Sequence, residues 1–542
     1  MAKKESTMFL RTATGLVRPW SALDGFIYNV IAISPVIVFG FSLVNSFGIA
    51  PAGNMWLALL ISGFFCTAGI AYFEAALISS MPRSGGDYIY QSRILGGGIG
   101  YVNIFVFIVI MQTIWVSFAA WWAVDHTVAP FLVIFGAMWK IESLTNAGVW
   151  MTTGNGFMFL GIIVVAWAAV INLAGMVWYR RAQKACFYIG MVGVVIVIGL
   201  LLTTTQAAFE QGFNSFWVDV FGLPPNMYQT VFETAQASGF SRAGNVGWES
   251  LIMGIPLAMA FMFPAWSAYN AGEIKGAGGF RSQIYQVVVA EIASIIIALA
   301  LYTGLVHMVG VDWYASITWL FWNARASYPI PIAPYFGFLA AMIYKNPIPM
   351  LIVFITLQAW FWMWYVNINL AVSRTMLAMA FDREFPEKIA EVHPKTRAPW
   401  IAIIVIMLFG FVFVALFAYT SFSSLILGAS LVTIVGFGGT ALAALVMPWR
   451  RRDLYKASPI SSIEVGKVPT LSIAGLIWII FTIIALYIFA TEPRVFFVSG
   501  WIAWAFLIGM YALALLFYLG YKLYRGRQGI NVNLLYKEIP VE

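Results

Sequence analysis

The chain alternates between long apolar runs and short polar segments along nearly its whole length. A helix needs about 20 apolar residues to cross a bilayer, and twelve runs approach or exceed that length. They are residues 24–47, 54–80, 99–126, 155–178, 186–205, 250–272, 283–309, 348–380, 400–420, 423–447, 471–490 and 497–522. An apolar stretch at 101–139 is interrupted only at Asp125 and His126, which leaves room for a second crossing there. The pattern predicts an all-α integral membrane protein with about 12 transmembrane helices.

The first and sixth predicted spans each contain a proline near the middle. Proline has no amide hydrogen and its ring clashes with the carbonyl one turn back, so it interrupts a helix. The residues at the two interruptions are Ile33, Ser34, Pro35, Val36 and Ile37, and then Phe263, Pro264, Ala265, Trp266 and Ser267. Either proline alone is as readily explained by a simple kink. Because they occupy matching places in two halves of the chain, they favour a pair of discontinuous helices around a central binding site, as in secondary transporters.

Composition and charge agree with a membrane protein. Hydrophobic residues make up 62% of the chain and charged residues 10%, a balance that excludes a soluble globular protein. If the loops are assigned alternately to two sides, 25 Lys and Arg residues fall on the side of the N-terminus and 5 on the other. This asymmetry predicts cytoplasmic N- and C-termini and a multi-pass protein of the cell membrane. It also explains the basic clusters as topology signals, so no nucleic acid partner is expected.

Four motifs at span junctions resemble those of the amino acid–polyamine–organocation (APC) permease superfamily. The first is Pro82-Arg83-Ser84-Gly85-Gly86-Asp87-Tyr88-Ile89-Tyr90, and the second is Asn172-Leu173-Ala174-Gly175 followed by Gln183. The third is Gly272-Glu273-Ile274-Lys275, and the fourth runs from Ser373 through Arg374 to Arg383. Each motif is weak by itself, but the four occur in the family's order and cover about residues 20–450.

The resemblance implies a LeuT-type fold, in which two inverted five-helix repeats with discontinuous helices 1 and 6 are followed by two terminal helices. The segments expected on this basis are a cytoplasmic N-terminal segment (1–21), a first repeat (22–205), an extracellular loop (206–249), a second repeat (250–448), a cytoplasmic loop (449–470), two terminal helices (471–523) and a cytoplasmic tail (524–542). It further implies a substrate held at the two helix breaks. A helix N-terminus with free amides suits a carboxylate, and a C-terminus with free carbonyls suits an ammonium group.

The sequence departs from the family at these breaks. The family's small-residue triplet falls near Pro35-Val36-Ile37, and Ala265 and Ser267 replace a usual glycine and a frequent acid. Such bulkier residues narrow the expected site. Trp266 matches an aromatic that covers the substrate in relatives, although it is equally explained as a packed core residue.

Ionisable residues inside spans are functional candidates by default. Glu74 and Glu291 are candidate proton carriers, with structural pairing as the favoured alternative. Thr356 is the one hydroxyl placed for a sodium site. Some members of the family have a lysine whose charge takes the place of the sodium ion, and the corresponding residue in this chain is Gly190. No cofactor and no metal ion are expected, and the coupling ion is left open between H⁺ and Na⁺, with exchange as a third mode.

The sequence thus predicts a transporter of amino acids that works by alternating access, and no enzyme. A polyamine or organic amine permease of the same fold is an alternative, and it would need Glu74 or Glu291 to face the central cavity. A non-transporting amino-acid sensor is another, which the expected lack of a soluble signalling domain disfavours. The expected partners are a small amino acid or amine and membrane lipids, and no oligomeric state is predicted.

Overall fold

The protein is described here from a computed structural model that covers residues 16–422, 425, 430–495, 501–537 and 539. These residues are mostly helical. The α-helices are α1 (Ala22–Ile33), α2 (Ile37–Ile49), α3 (Met55–Ser80), α4 (Asp87–Ile94), α5 (Gly97–Trp139), α6 (Glu142–Met151), α7 (Gly154–Leu173), α8 (Met176–Thr203), α9 (Gln206–Phe221), α10 (Met227–Ala237), α11 (Val246–Phe261), α12 (Phe280–Val309), α13 (Val311–Asn323), α14 (Phe336–Met342), α15 (Pro347–Phe381), α16 (Trp400–Tyr419), α17 (Ser430–Arg450), α18 (Arg452–Ala457), α19 (Thr470–Thr491), α20 (Trp501–Arg527) and α21 (Val532–Leu535).

Local chemistry explains several helix ends. Ser21 and Asp24 form a reciprocal capping box at the start of α1, which satisfies two amides that have no partner within the helix. Gly175 adopts a φ of 85° between α7 and α8, a conformation that glycine tolerates without strain. A short hairpin pairs β1 (Glu464–Val465) with β2 (Val468–Pro469) in the segment after α18.

Eleven helical spans within the described residues are long and apolar enough to cross a membrane, if α1 and α2 are counted together. Helix α11 is also apolar but shorter. The predicted all-α, multi-pass membrane architecture is therefore confirmed. The count of twelve spans and the inverted repeat stay predictions. The first residues of the tenth and twelfth predicted spans lie partly outside the described residues, which exclude 423–424, 426–429 and 496–500.

Three predicted boundaries were wrong. The stretch at 101–139 has no break at Asp125, because a π-helical segment (Val124–Val128) keeps α5 continuous there. The helix of the fourth predicted span ends at Leu173 and not at residue 178. The fifth predicted span was placed at 186, but its helix, α8, already begins at Met176 because the basic residues before the apolar run are helical too. Hydropathy detects the apolar part of a helix and misses a polar extension beyond the bilayer.

Two sets of loops meet at opposite ends of the bundle. At one end, which we call the basic end, Arg18 donates to the Gly272 carbonyl (2.8 Å) and Arg451 to the Arg93 carbonyl (2.6 Å). At the other end, which we call the far end, Arg242 donates to the Pro51 carbonyl at 2.9 Å. The long segments at 206–245 and 311–346 belong to the far end, where they form α9, α10, α13 and α14.

Candidate functional site

The predicted break in the first span is a short non-helical link between α1 and α2. Ser34 adopts left-handed angles (φ 50°, ψ 72°), and its carbonyl accepts hydrogen bonds from the amides of Val38 and Phe39 at 3.1 and 3.3 Å. Among the described residues no acceptor contacts the amides of Val36 and Ile37. The N-terminus of α2 therefore presents unpaired amide hydrogens and a partial positive charge.

The second break follows α11, which ends at Phe261. Pro264 cannot donate to the carbonyl of Ala260, which its position in a continued helix would require. The chain then forms two short 3-10 helices, Trp266–Tyr269 and Ala271–Glu273. The break predicted at Phe263–Ser267 is present, but the part of the predicted span after it, up to residue 272, forms short 3-10 helices and not a second α-helical half.

No donor within the described residues contacts the carbonyls of Met259, Ala260 or Phe261. The C-terminus of α11 therefore presents free acceptors and a partial negative charge.

Asn29 joins the two broken segments. Its side-chain amide donates to the hydroxyl of Ser267 (3.0 Å) and the carbonyl of Gln286 (2.7 Å). Its side-chain oxygen accepts from the amide of Ser267 at 2.8 Å. Asn29 was not among the predicted site residues, although a polar residue inside an otherwise apolar span was a signal.

Helix α15 supports the same junction from another side. Trp364 donates its indole hydrogen to the carbonyl of Ala32 at 3.1 Å. Asn367 exchanges hydrogen bonds with Tyr28, donating to its carbonyl (3.1 Å) while its own carbonyl accepts from the phenol (3.0 Å), and Tyr179 donates to its side-chain oxygen. These contacts fix the end of α1 against α15.

A small cavity lies between the two breaks, α5 and α15. Its volume is about 30 Å³, enough for about one or two water molecules and far below the roughly 300–1,000 Å³ of ligand pockets. The cavity is lined by Ala32, Val38, Phe41, Ser42, Asn45, Gln112, Trp115, Trp122, Pro256, Met259, Phe263, Trp266, Trp364, Asn367 and Ile368. A cavity of this volume is too small for an amino acid.

The cavity lining contains no charged side chain. Its polar members are Ser42, Asn45, Gln112 and Asn367, and the others are aliphatic or aromatic. Of the predicted binding residues, Phe263 and Trp266 line the cavity, while Val36 faces a separate void. The lining residues on α5 were missed, because nothing in the sequence indicates which face of that long helix points inward.

The candidate ion-site residue Thr356 lies away from this cavity. It lines an apolar void of about 10 Å³ together with Val36, and its hydroxyl donates to the carbonyl of Ile352 at 2.8 Å. A Cβ added to Gly190 would lie 2.7 Å from the indole nitrogen of Trp360. A lysine at position 190 would therefore collide with Trp360.

The two candidate carboxylates occupy separate places outside the cavity lining. Glu74 on α3 and Glu291 on α12 are fully buried, and no donor in the described region contacts their oxygens. Glu74 lies near the carboxyl of Asp87, and Glu291 lies near the thiol of Cys66.

Paired charges lie toward the basic end of the bundle, outside the cavity lining. Arg374 on α15 contacts Glu273 at 2.8 Å, with both side chains buried. Arg93 forms two hydrogen bonds with Asp382, at 2.5 and 2.8 Å. Burial raises the pKa of the neighbouring Glu384 carboxyl, and the charge of Asp382 raises it further. Glu273 belongs to the third sequence motif, and Arg374 and Asp382 belong to the fourth, so these two motifs carry structural charges of this end.

Comparisons with known proteins agree with this architecture. A model of the amino acid permease family matches residues 23–513. Solute carrier family 12 member 3 of Mus musculus is 27% identical over 171 residues, which is 31% of this chain and 15% of that protein. The same-named protein of Pseudopleuronectes americanus is 27% identical over 179 residues, 32% of this chain and 16% of its own length. The chain therefore spans only about a sixth of the length of these relatives.

The family match extends over nearly the whole chain and includes both helix breaks, the cavity and the paired charges. We conclude that this multi-pass membrane protein is a transporter, not an enzyme, and belongs to the amino acid permease family.

Proposed function

We propose that this protein is a secondary transporter of neutral amino acids that works by alternating access across the cell membrane. The observation that carries the proposal is an uncharged cavity between unpaired amides at the start of α2 and unpaired carbonyls at the end of α11. The amides suit the carboxylate of an amino acid, and the carbonyls suit its ammonium group. The chemistry of the aliphatic and aromatic lining matches an uncharged side chain.

The alternatives differ in what the cavity must provide. A polyamine or organic amine carries positive charge without a carboxylate and calls for an acidic residue at the site, yet neither Glu74 nor Glu291 is among the lining residues. A sensor would bind the same amino acid without moving it. The relatives are named as solute carriers, which supports transport.

Uptake by purified protein in liposomes tests the proposal. Radiolabelled leucine, alanine, lysine and putrescine are offered singly, without a gradient and with a pH or a sodium gradient. We expect saturable uptake of leucine or alanine that excess unlabelled substrate inhibits. Uptake of putrescine alone would replace the proposal with an amine permease, and binding without uptake would replace it with a sensor.

Substitution of Trp266 tests the location of the site. Because Trp266 lines the cavity, we expect Trp266→Ala to reduce uptake by about tenfold, equivalent to about 1.4 kcal/mol, in protein that still elutes as a folded species. Trp478→Ala is the matched control, since Trp478 is equally buried on α19 but does not line the cavity. Normal uptake by a folded Trp266→Ala protein would remove the residue from the mechanism.

We further propose that the basic end faces the cytoplasm, on the evidence of the charge asymmetry. Single cysteines at the exposed positions Gln236 and Lys456 are introduced into a variant with Cys66→Ser and Cys186→Ser. A membrane-impermeant maleimide should label position 236 in intact cells and position 456 only after permeabilisation. The reverse pattern would invert the topology, and labelling of both positions in intact cells would contradict it.

A further inference from the structure

A groove runs along one face of α20 at the basic end of the bundle. Its volume is about 770 Å³. One wall is the loop at 386–388 that follows α15, and the other is a stripe of α20 side chains that recur every three or four residues, as neighbours on one helix face do. The stripe includes Leu513, Leu516, Phe517, Gly520, Tyr521 and Tyr524. The groove thus lies between an apolar helix long enough to span a membrane and a loop near its end.

The chemistry of the groove changes along its length. Leu513, Leu516 and Phe517 make one part apolar, whereas Lys388 and Arg525 make the opposite part basic. Leu513 and Arg525 are about 18 Å apart along α20, at roughly 1.5 Å per residue. The hydrocarbon of one leaflet is about 15 Å thick, half of the bilayer core. The groove therefore has the length and the polarity gradient of one phospholipid molecule lying beside the helix.

Tyrosines mark the level at which α20 leaves the membrane. Tyr521 and Tyr524 line the groove between its apolar part and Arg525. Tyrosine is enriched at the headgroup level of membranes, because its ring is apolar and its hydroxyl is polar. The guanidinium of Arg525 lies 5.6 Å from the centre of the Tyr524 ring, and the nearby Lys522 and Arg527 are exposed. The basic part of the groove therefore lies at the level of lipid headgroups.

The basic part is preorganised and keeps a net positive charge. The side chain of Arg525 is only 7% exposed. Its guanidinium donates to the Arg383 carbonyl at 3.2 Å and to Gln528 at 2.9 Å. It also pairs at 3.0 Å with Glu387, the one acid among the described lining residues, so these two charges offset each other. Lys388 is exposed and forms no ion pair within the described part of the chain. Its charge is therefore available to a phosphate group.

Gly520 opens the helix wall between the apolar and basic parts. A Cβ added to Gly520 would meet no described atom within 4 Å. Any larger side chain at this position would project from the wall into the space that the groove now contains. Gly520 therefore gives a way to fill the groove without changing its charge.

The charge of the groove decides between a lipid and a second copy of this chain. In a two-fold symmetric dimer the same patch contacts itself. Such a contact would bring Lys388 and Arg525 of both copies together, and like charges repel most strongly where water is excluded. An anionic lipid instead supplies the opposite charge, and its acyl chains match the apolar part.

We propose that this groove binds one anionic phospholipid, with its phosphate at Lys388 and Arg525 and an acyl chain passing over Gly520 toward Leu513. The inference rests on the membrane architecture and goes beyond the proposed transport function. In the proposed topology the basic end faces the cytoplasm, where anionic lipids attract basic groups. The bound lipid joins α20 to the loop after α15, so it stabilises the packing of that loop against the helix.

Native mass spectrometry of the purified, delipidated full-length protein tests the binding. Phosphatidylglycerol is titrated against phosphatidylcholine with the same acyl chains, and we expect one phosphatidylglycerol to bind about tenfold more tightly. Lys388→Glu should weaken phosphatidylglycerol binding by about tenfold or more, and Gly520→Leu should weaken it by filling the groove. Lys456→Glu and Gly509→Leu are the matched controls. Neither lines the groove, and Gly509 lies on the same helix with similar open space.

Thermal denaturation separates a lipid from a free anion. Phosphatidylglycerol should raise the melting temperature of the wild type and of both controls, and should raise that of Lys388→Glu and Gly520→Leu less. Inorganic phosphate and glycerol phosphate, which lack acyl chains, should not stabilise the wild type. Stabilisation by either of them equal to that by the lipid would overturn the proposal in favour of a simple anion site.

Three further outcomes decide the question. Equal binding of the two lipids would overturn the selection of a negative headgroup. Unchanged phosphatidylglycerol binding in the two groove variants would overturn the location, and because the variants alter different parts of the groove, either one suffices if the other does not fold. A dimer that forms on delipidation and that Gly520→Leu abolishes would assign the groove to a second copy instead. None of these measurements uses a transported substrate, so failure of amino acid uptake would refute the proposed function and leave the lipid site standing.

Discussion

The two regions that close the central cavity do so with different kinds of contact. Toward the basic end, the described contacts include a buried ion pair between Arg374 and Glu273 and the hydrogen bonds between the Asn29 side chain and Ser267. Toward the far end, the neighbours of the cavity are aromatic rings. Phe41 packs against Trp122 and Phe118 with centroid distances of 4.9 and 5.5 Å.

This difference implies unequal tolerance to change. Removing one partner of a buried ion pair leaves an unpaired charge and costs about 3–5 kcal/mol. An aromatic pair contributes only about 0.5–1.5 kcal/mol beyond the area it buries, and rings adapt through several packing angles. The basic end therefore specifies one arrangement, whereas the far end is able to repack. In the proposed alternating-access cycle, the two barriers would respond to different forces.

The largest predicted effect is at the ion pair of the basic end. Arg374→Met leaves Glu273 buried without a cation, and we expect the free energy of unfolding to fall by about 3–5 kcal/mol. Thermal denaturation of detergent-purified protein measures this as a large drop in the melting temperature. The double variant Arg374→Met with Glu273→Met is the control and should recover much of the loss. If the double variant is as unstable as the single one, packing and not charge holds this end together.

The second prediction concerns Gly85 and Gly86, which bring the start of α4 beside Tyr269. The amide of Gly85 donates to the Tyr269 carbonyl at 2.9 Å, and a Cβ at Gly86 would lie 2.9 Å from the Tyr269 ring. Gly85 has a φ of 105°, and an added Cβ would lie 2.5 Å from the Cβ of Ala378. Gly85→Ala should destabilise the protein by about 1–3 kcal/mol through backbone strain alone, and the overlap with Ala378 adds to this. Gly96→Ala is the matched control, because Gly96 has a φ of 120° but open space around it. Equal melting temperatures for the two variants would show that strain, and not close packing, requires the glycine.

The smallest predicted effect is at the aromatic far end. Phe41→Leu keeps an apolar side chain but loses the ring contacts with Trp122 and Phe118, so we expect a loss of about 0.5–1.5 kcal/mol. The same thermal measurement applies, with Phe413→Leu as the control, since Phe413 also stacks on another ring but does not line the cavity. A loss as large as that of Arg374→Met would remove the proposed contrast between the two ends.

Much of the fold could be predicted from the sequence, because the relevant physics is local. A bilayer requires about 20 apolar residues per helix, and the spans follow from that length. The two breaks were located because proline removes a particular backbone hydrogen bond. Prediction failed where a helix extended beyond its apolar part, as at the start of α8, and where the chain after Pro264 formed 3-10 turns that depend on bonds from Asn29.

The site was predicted only in part. By itself, the sequence determined the membrane architecture, the positions of the breaks and the lack of an obvious acid for a cationic substrate. Only the tertiary structure decided that Gln112 and Trp115 line the cavity between the breaks, and that Asn29 bonds to Ser267 across them. The physical reason is that the backbone hydrogen bonds within a helix and the length of its apolar run are properties of one segment. Which face of the helix points toward the cavity is set by packing against neighbouring helices.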